Sequence, residues 1–185
     1  MNFELSEEQK MIQQNVERFV QDNYDLPKRV ELSSQDPGYS KDYWNSMAEL
    51  GWLGLPFNEE DGGFGGNQID TLVIMEQFGK GLVLEPFLAN VVLGGGAIQI
   101  GGSEELKNEM ISSLIEGSKQ LTLAYAEQQS RFDLEDVATS ARQEGDKYII
   151  NGQKSMVLNA ESSDHIVVVT RTNGGQVDEE GITLF

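Results

Sequence analysis

Apolar and polar positions follow two different rhythms along this chain, and the change falls near residue 120. Before it, apolar residues recur at helical spacing. After it, they alternate or gather in short β-branched runs, which is how strands read. Ser6 and Gln9 form a capping-box pattern, and Ile12, Val16, Phe19 and Val20 share one helical face behind it. This helix is predicted to end before Pro27, because the residue ahead of a proline disfavours helix. Ser33-Ser34-Gln35-Asp36-Pro37-Gly38 reads as a loop. Ser40 is placed to cap a second helix carrying Trp44, Met47 and Ala48, with Gly51 just past its end. Leu53-Gly54-Leu55-Pro56 reads as extended and residues 61–66 as a loop. Asn67 is placed to cap a third helix with Ile69, Leu72, Val73 and Glu76 in phase, ending at Gly79. Pro86 suits the first position of a fourth helix, which stops at Gly101-Gly102. Ser103 opens a fifth, with Leu106, Met110 and Leu114 in phase and Gly117 as its stop.

Strands are predicted over residues 121–126, 137–142, 147–152, 155–158, 166–169 and 182–185. Glu144-Gly145-Asp146 and Asn173-Gly174-Gly175 supply turns. The layout is therefore α+β: an N-terminal all-helical bundle, residues 1–118, followed by an antiparallel, barrel-like β domain, residues 119–185.

Charge narrows the function classes. Lys and Arg number 13 against 31 Asp and Glu, a net charge of −18. Such a surface repels nucleic acid, whose affinity comes mainly from basic side chains on phosphates, and equally an anionic membrane face. There is no Cys, which excludes disulfides, Cys-ligated metal and a cysteine nucleophile. His165 is the only histidine; it reads as a strand-edge residue, and no metal site is expected. The N-terminus lacks a basic start and an apolar core, so it does not read as a signal peptide. The best apolar run, residues 81–100, is broken by Glu85, Pro86, Asn90 and three glycines, so no membrane insertion is expected. A cytoplasmic location is the expectation.

Two glycine clusters invite closer reading. Gly62-Gly63-Phe64-Gly65-Gly66 lacks the Lys and Ser/Thr of a phosphate-binding loop and reads as a tight interhelical connection. Gly94-Gly95-Gly96 falls inside a predicted helix, where each glycine costs on the order of 1 kcal/mol relative to Ala. Either close helix packing or a cavity beside the helix offsets that cost; the second makes Gly94, Gly95 and Gly96 candidate substrate-binding positions. Trp44 and Trp52 read as core anchors. The acidic runs at Glu7-Glu8, Glu59-Glu60-Asp61 and Asp178-Glu179-Glu180 read as solvated turns and helix starts.

Gly145-Asp146-Lys147-Tyr148-Ile149-Ile150-Asn151-Gly152-Gln153-Lys154 is close to the G-D-x-Y-x-I-N-G-x-K hairpin of the acyl-CoA dehydrogenase family. Leu121-Thr122-Leu123-Ala124-Tyr125-Ala126-Glu127, Leu5-Ser6-Glu7-Glu8-Gln9, Leu50–Pro56 and Glu59-Glu60-Asp61-Gly62-Gly63 also resemble that family, in order along the chain. The resemblance implies an N-terminal helical domain and a middle β domain. It implies α,β-dehydrogenation of an acyl-CoA thioester, with FAD taking the hydride and a glutamate taking the α-proton. By resemblance the flavin-facing positions are Tyr125, Ala126, Phe132, Met156 and Leu158.

The match is uneven at those positions. The family's T-E-P-x-A-G-S-D reads here Ala126-Glu127-Gln128-Gln129-Ser130-Arg131-Phe132-Asp133, and its W-I-T-N reads Met156-Val157-Leu158-Asn159. Two hydroxyls give way to Ala126 and Phe132, a tryptophan to Met156 and a threonine to Leu158. The family's C-terminal helical domain has no counterpart, and its catalytic base is expected beyond Phe185, so no catalytic residue is assigned in this chain. The implied protein is a partner-type subunit of a homo- or hetero-oligomer with a related subunit, inactive as the isolated chain. Relatives of that type often take bulky or dicarboxylic acyl groups, as in fatty acid or sterol degradation. The alternatives are a fragment of a conventional homo-oligomeric enzyme and a non-catalytic acyl-CoA-binding or assembly module. Arg131 and Lys154 are the cations nearest the implied site, and surface solubility is the expected role of both.

Overall fold

The computed structural model describes residues 4–185; Met1, Asn2 and Phe3, where the reading of the N-terminus begins, lie outside the described residues. Helix α1 (Glu7–Asn23) starts as its sequence requires: the Ser6 hydroxyl accepts from the Gln9 amide, and the Gln9 side chain caps the Ser6 amide. Tyr24 closes it. The chain does not enter a loop at once, because Asp25 caps a further helix, α2 (Leu26–Ser33), with Pro27 in its first turn. Proline is pre-organised for that position, so the residue that ends one helix begins the next. The proline pattern alone predicts only its breaking effect.

Helix α3 (Lys41–Glu49) is capped by Ser40 and buries Trp44 and Met47. Residues 53–56, expected to be extended, instead form successive turns, with amides at 54, 55 and 57 donating three residues back. Glycines inside that stretch suit tight turns better than a ladder. Asn67 and Asp70 form a reciprocal capping box at the start of α4 (Gln68–Gly81). The Asp70 carboxylate also accepts from Gln9 Nε2 at 2.8 Å, tying the starts of α1 and α4 together. The predicted phase of α4 is displaced. Ile69 and Leu72 are exposed, and Asp70, Val73, Ile74, Gln77 and Phe78 are buried; its capping polar residue and one glutamine face inward, which a count of apolar positions alone misses.

After Pro86 the helix has π geometry over Leu88–Gly95 and continues as α5 (Gly96–Gly101). Helix α6 (Glu104–Ile115), capped by Ser103, ends at Glu116 and the left-handed Gly117. The core runs through all of these but α2, from Val16 and Trp44 to Phe57, Phe87, Ile111, Leu114 and Leu121, with Phe19 edge-on to Tyr43 and Trp52.

The β part comprises β1 (Leu121–Ala124), β2 (Ser140–Glu144), β3 (Lys147–Asn151), β4 (His165–Arg171) and β5 (Ile182–Leu184). β1 pairs β4 in parallel, while β2 with β3 and β4 with β5 are antiparallel. A single parallel bridge, Ser140 with Arg171, joins the two halves. The sheet is therefore mixed and open, correcting the expectation of an antiparallel barrel. Residues 155–158 are not a strand either: Met156 and Asn159 have positive φ, 53° and 56°, which interrupts any ladder. No helix among the described residues is long and apolar enough to cross a membrane.

Candidate functional site

Strand β1 meets β4 on one edge. Its other edge is covered by the irregular segment 155–159. The Ser155 amide donates to the Ala126 carbonyl at 2.9 Å, Thr122 Oγ1 donates to the Leu158 carbonyl at 2.6 Å, and Asn159 Nδ2 donates to Gln120 Oε1 at 2.7 Å. Folding thus brings together two separate sequence segments, placing Ala126 beside Met156 and β1 beside Leu158. The side chains there are apolar and open to solvent: Met156 is 84 % exposed, with Tyr125 and Leu158 about half as open. Phe132, on the turn after Glu127, is almost wholly exposed.

A pocket of about 470 Å³ opens on the sheet. It is walled by Leu93 from the π-helical segment, Leu123 from β1 and Tyr125 just after it, Val169, Ile182 and Leu184 from β4 and β5, and Arg131, Asp133 and Leu134 from the turn. Its floor is apolar, and its charged groups stand on one side. Arg131 adopts φ of 49°. Of the sequence-assigned positions, Tyr125 lines this pocket; Ala126, Met156 and Leu158 lie along the adjoining strand edge.

Gly94, Gly95 and Gly96 have different surroundings. A Cβ on Gly94 would sit 2.8 Å from Leu121 Cβ and 2.9 Å from its carbonyl carbon; one on Gly95 would sit 2.5 Å from Phe57 Cζ. Both are close-packing positions, where the helix backbone touches β1 and the core. Nothing lies within 4 Å of a Cβ on Gly96, which borders a second pocket of about 570 Å³ between α4 and the π-helical segment.

The polar anchor of the β1 edge is an ion pair. Lys154 Nζ lies 2.6 Å from Glu127 Oε1, with side chains 8 % and 2 % exposed. Glu127 also accepts from the amides of Ala138 and Thr139 at 2.9 and 3.0 Å and from Gln129 Nε2 at 2.7 Å. Burial by itself would raise its carboxyl, but the Lys154 contact and these donors override it and lower the pKa to about 2. Lys154 is therefore not a surface cation, contrary to expectation. The available signal was that Glu127 and Lys154 both match the family pattern, Glu127 between the departures at Ala126 and at Gln128 to Phe132 and Lys154 just ahead of the departure at Met156. His165 opens β4 with Nε2 3.3 Å from Lys119 Nζ, away from this edge. Asp61, expected to be solvated, is buried beside Asn58.

Residues 6–118 match the acyl-CoA dehydrogenase N-terminal domain and residues 122–185 the acyl-CoA dehydrogenase middle domain. The probable acyl-CoA dehydrogenase YngJ of Bacillus subtilis is 33 % identical over 184 residues, covering 98 % of this chain and 48 % of the relative. The acyl-CoA dehydrogenase structure from Geobacillus kaustophilus superposes with a TM-score of 0.81 at 27 % identity, covering 100 % of this chain and 48 % of its own. The structure of PigA with FAD and proline gives 0.84 at 26 %, covering 100 % and 49 %. The chain spans about half the length of the relatives it matches. With both domain families matched in order over nearly its whole length, this chain belongs to the acyl-CoA dehydrogenase family.

Proposed function

We propose that this chain forms the helical and middle parts of a flavin-dependent acyl-CoA dehydrogenase subunit whose flavin site is completed by a related subunit. The observation that carries this reading is the edge built by β1 and residues 155–159, where Tyr125, Ala126, Met156 and Leu158, assigned to the flavin by resemblance, lie close together with mostly apolar side chains. That surface fits the flat apolar face of an isoalloxazine ring. It offers the ring's polar rim little through side chains, since Ala126, Phe132, Met156 and Leu158 carry no donor and the Tyr125 hydroxyl alone remains at the flavin-facing positions. The other polar contacts to a flavin then come from backbone groups and from another polypeptide.

FAD, when bound, supplies the hydride acceptor for α,β-dehydrogenation of an acyl-CoA. Tyr125, Ala126, Met156 and Leu158 would lie against the ring, and Phe132 would flank it. The pocket bordered by Leu93, Leu123 and Tyr125 suits an acyl chain by its apolar floor. Gly96 leaves further room between α4 and the π-helical segment, which favours bulky acyl groups of the kind met in fatty acid or sterol degradation. With −18 charges overall, the CoA phosphates require local cations or backbone donors, and Arg131 at the pocket wall is the local cation.

Flavin content tests the reading. The polypeptide purified alone is expected to retain well under stoichiometric FAD and to show no acyl-CoA oxidation with an artificial electron acceptor. Co-expression with a related acyl-CoA dehydrogenase subunit is expected to restore both. Stoichiometric FAD in the isolated chain overturns the need for a partner; absence of FAD in both arms overturns the flavin reading.

A further inference from the structure

The Glu127–Lys154 pair is buried where the two segments of the apolar edge meet. Glu127 follows Tyr125-Ala126 directly, and Lys154 precedes the 155–158 segment directly. Lys154 Nζ reaches both the Glu127 carboxylate at 2.6 Å and the Tyr125 carbonyl at 3.2 Å. The next amide, Ser155, donates to the Ala126 carbonyl. Glu127 meanwhile gathers the Ala138 and Thr139 amides ahead of β2. Its own amide donates to Ser130 Oγ at 3.1 Å, shaping the turn that leads to Arg131 and Phe132. One buried contact therefore joins three segments distant in sequence.

Stability alone is a poor reason for such a pair. Removing two charges from water costs so much that apolar replacements of a buried ion pair are often neutral or stabilising. What an ion pair supplies here is direction: an ammonium with three donors spans from the carboxylate to a main-chain carbonyl, and an apolar pair fixes neither. We propose that Glu127 and Lys154 are positioning residues, holding β1 and residues 155–158 in the arrangement that receives the flavin ring. The inference rests on the reading of that edge as flavin-facing.

The test titrates FAD into the purified chain, free and in complex with a related subunit, following flavin fluorescence and the resolved visible absorption band. Amide exchange at Ser155 and Trp fluorescence, from Trp44 and Trp52 in the helical part, are read in parallel. Lys154→Met leaves Glu127 unpaired, so the double variant Glu127→Gln/Lys154→Met, which leaves no orphan charge, is measured beside it. Both are expected to weaken FAD binding about tenfold or more, the scale seen when orienting partners of bound metals are removed. They are also expected to alter the flavin band and speed exchange at Ser155, with Trp fluorescence unchanged; Lys154→Arg is expected to recover part of the affinity. Unchanged FAD affinity and spectrum in the double variant overturn the positioning role, even where exchange quickens. If the wild type binds no FAD in either form, the flavin reading fails and exchange alone decides: quickened exchange at Ser155 upholds the pair as what shapes this edge, and unchanged exchange overturns it.

Discussion

The Tyr24 hydroxyl donates a hydrogen bond to Glu85 Oε2, joining the end of α1 to the connection that leads into the π-helical segment. Glu85 Oε1 accepts from the Ser40 amide at 3.1 Å, so the same carboxyl also holds the start of α3. Both side chains are buried. Burial raises the Glu85 carboxyl, with the hydrogen bonds from Tyr24 and Ser40 offsetting part of the effect. Burial also raises the Tyr24 phenol, and its bond to Glu85 adds to that. Tyr24→Phe leaves a buried acceptor without its donor and should cost ~1–3 kcal/mol, read from urea unfolding. The pH effect has a definite sign. A carboxyl whose folded pKa lies above its unfolded value contributes stability that is full below about pH 4.5, the unfolded value, and is lost as pH rises through the folded one. The stability of wild type minus that of Glu85→Gln should therefore fall as pH rises from 4. A difference that does not vary with pH contradicts this.

Glu127 behaves in the opposite sense. Its folded pKa, about 2, lies below the ordinary 4.5. Its stabilisation is therefore present above pH 4.5 and disappears as pH falls from there toward 2. Unfolding between pH 5 and 2 should show a steep acid limb in the wild type and a shallower one in Glu127→Gln. Equal slopes in the two proteins would mean that Glu127 is not the group whose protonation loosens the β domain.

How much of this was legible in the sequence depends on whether the signal is local. Helix caps are local, and Ser6, Ser40, Asn67 and Ser103 all cap helices as read. So is the Gly145 turn between β2 and β3. Pro27 taken alone reads as a stop, though with Asp25 before it the same residues spell a helix start. The parallel pairing of β1 with β4 joins residues more than forty apart, and nothing in an alternating pattern distinguishes parallel from antiparallel partners. At the candidate site, the apolar character of Ala126, Phe132, Met156 and Leu158 was visible residue by residue. The burial of Lys154 against Glu127 was not, because a lysine's environment is set by the distant segment that folds over it.

Arg171 shows how the loops beside this sheet are held. Among the described residues its buried guanidinium has no carboxylate as a hydrogen-bond partner. Instead Nη2 donates to the Glu135 and Asp178 carbonyls at 2.7 and 3.0 Å, Nη1 to Glu180 at 2.8 Å and Nε to Val137 at 3.3 Å. Four carbonyls from two loops converge on one planar fork, a geometry an ammonium does not reproduce. Arg171→Met should cost roughly 3 kcal/mol, the upper scale for unpaired buried acceptors, and Arg171→Lys should recover less than half of it. Chemical denaturation followed by far-UV circular dichroism measures both. Full recovery by Lys would show that charge, not the fork, is what the loops require.

The three central glycines give the sharpest stability contrast. Gly94 and Gly96 lie two residues apart along one continuous helical run, and both have helix-compatible backbones. Replacing Gly96 by Ala removes the entropic penalty of glycine in a helix and meets no neighbour within 4 Å, so a gain of about 0.5–1 kcal/mol is expected. The same change at Gly94 gains as much from propensity. It also drives a methyl group to 2.8 Å from Leu121 Cβ and 3.0 Å from the Thr122 amide nitrogen. Backbone cannot yield as a side chain tip can, so the helix must shift off β1, at about 1–3 kcal/mol. Gly94→Ala should thus lower the melting temperature and Gly96→Ala raise it. The two variants moving in the same direction would show that the π-helical segment does not rest on β1 as closely as these distances require.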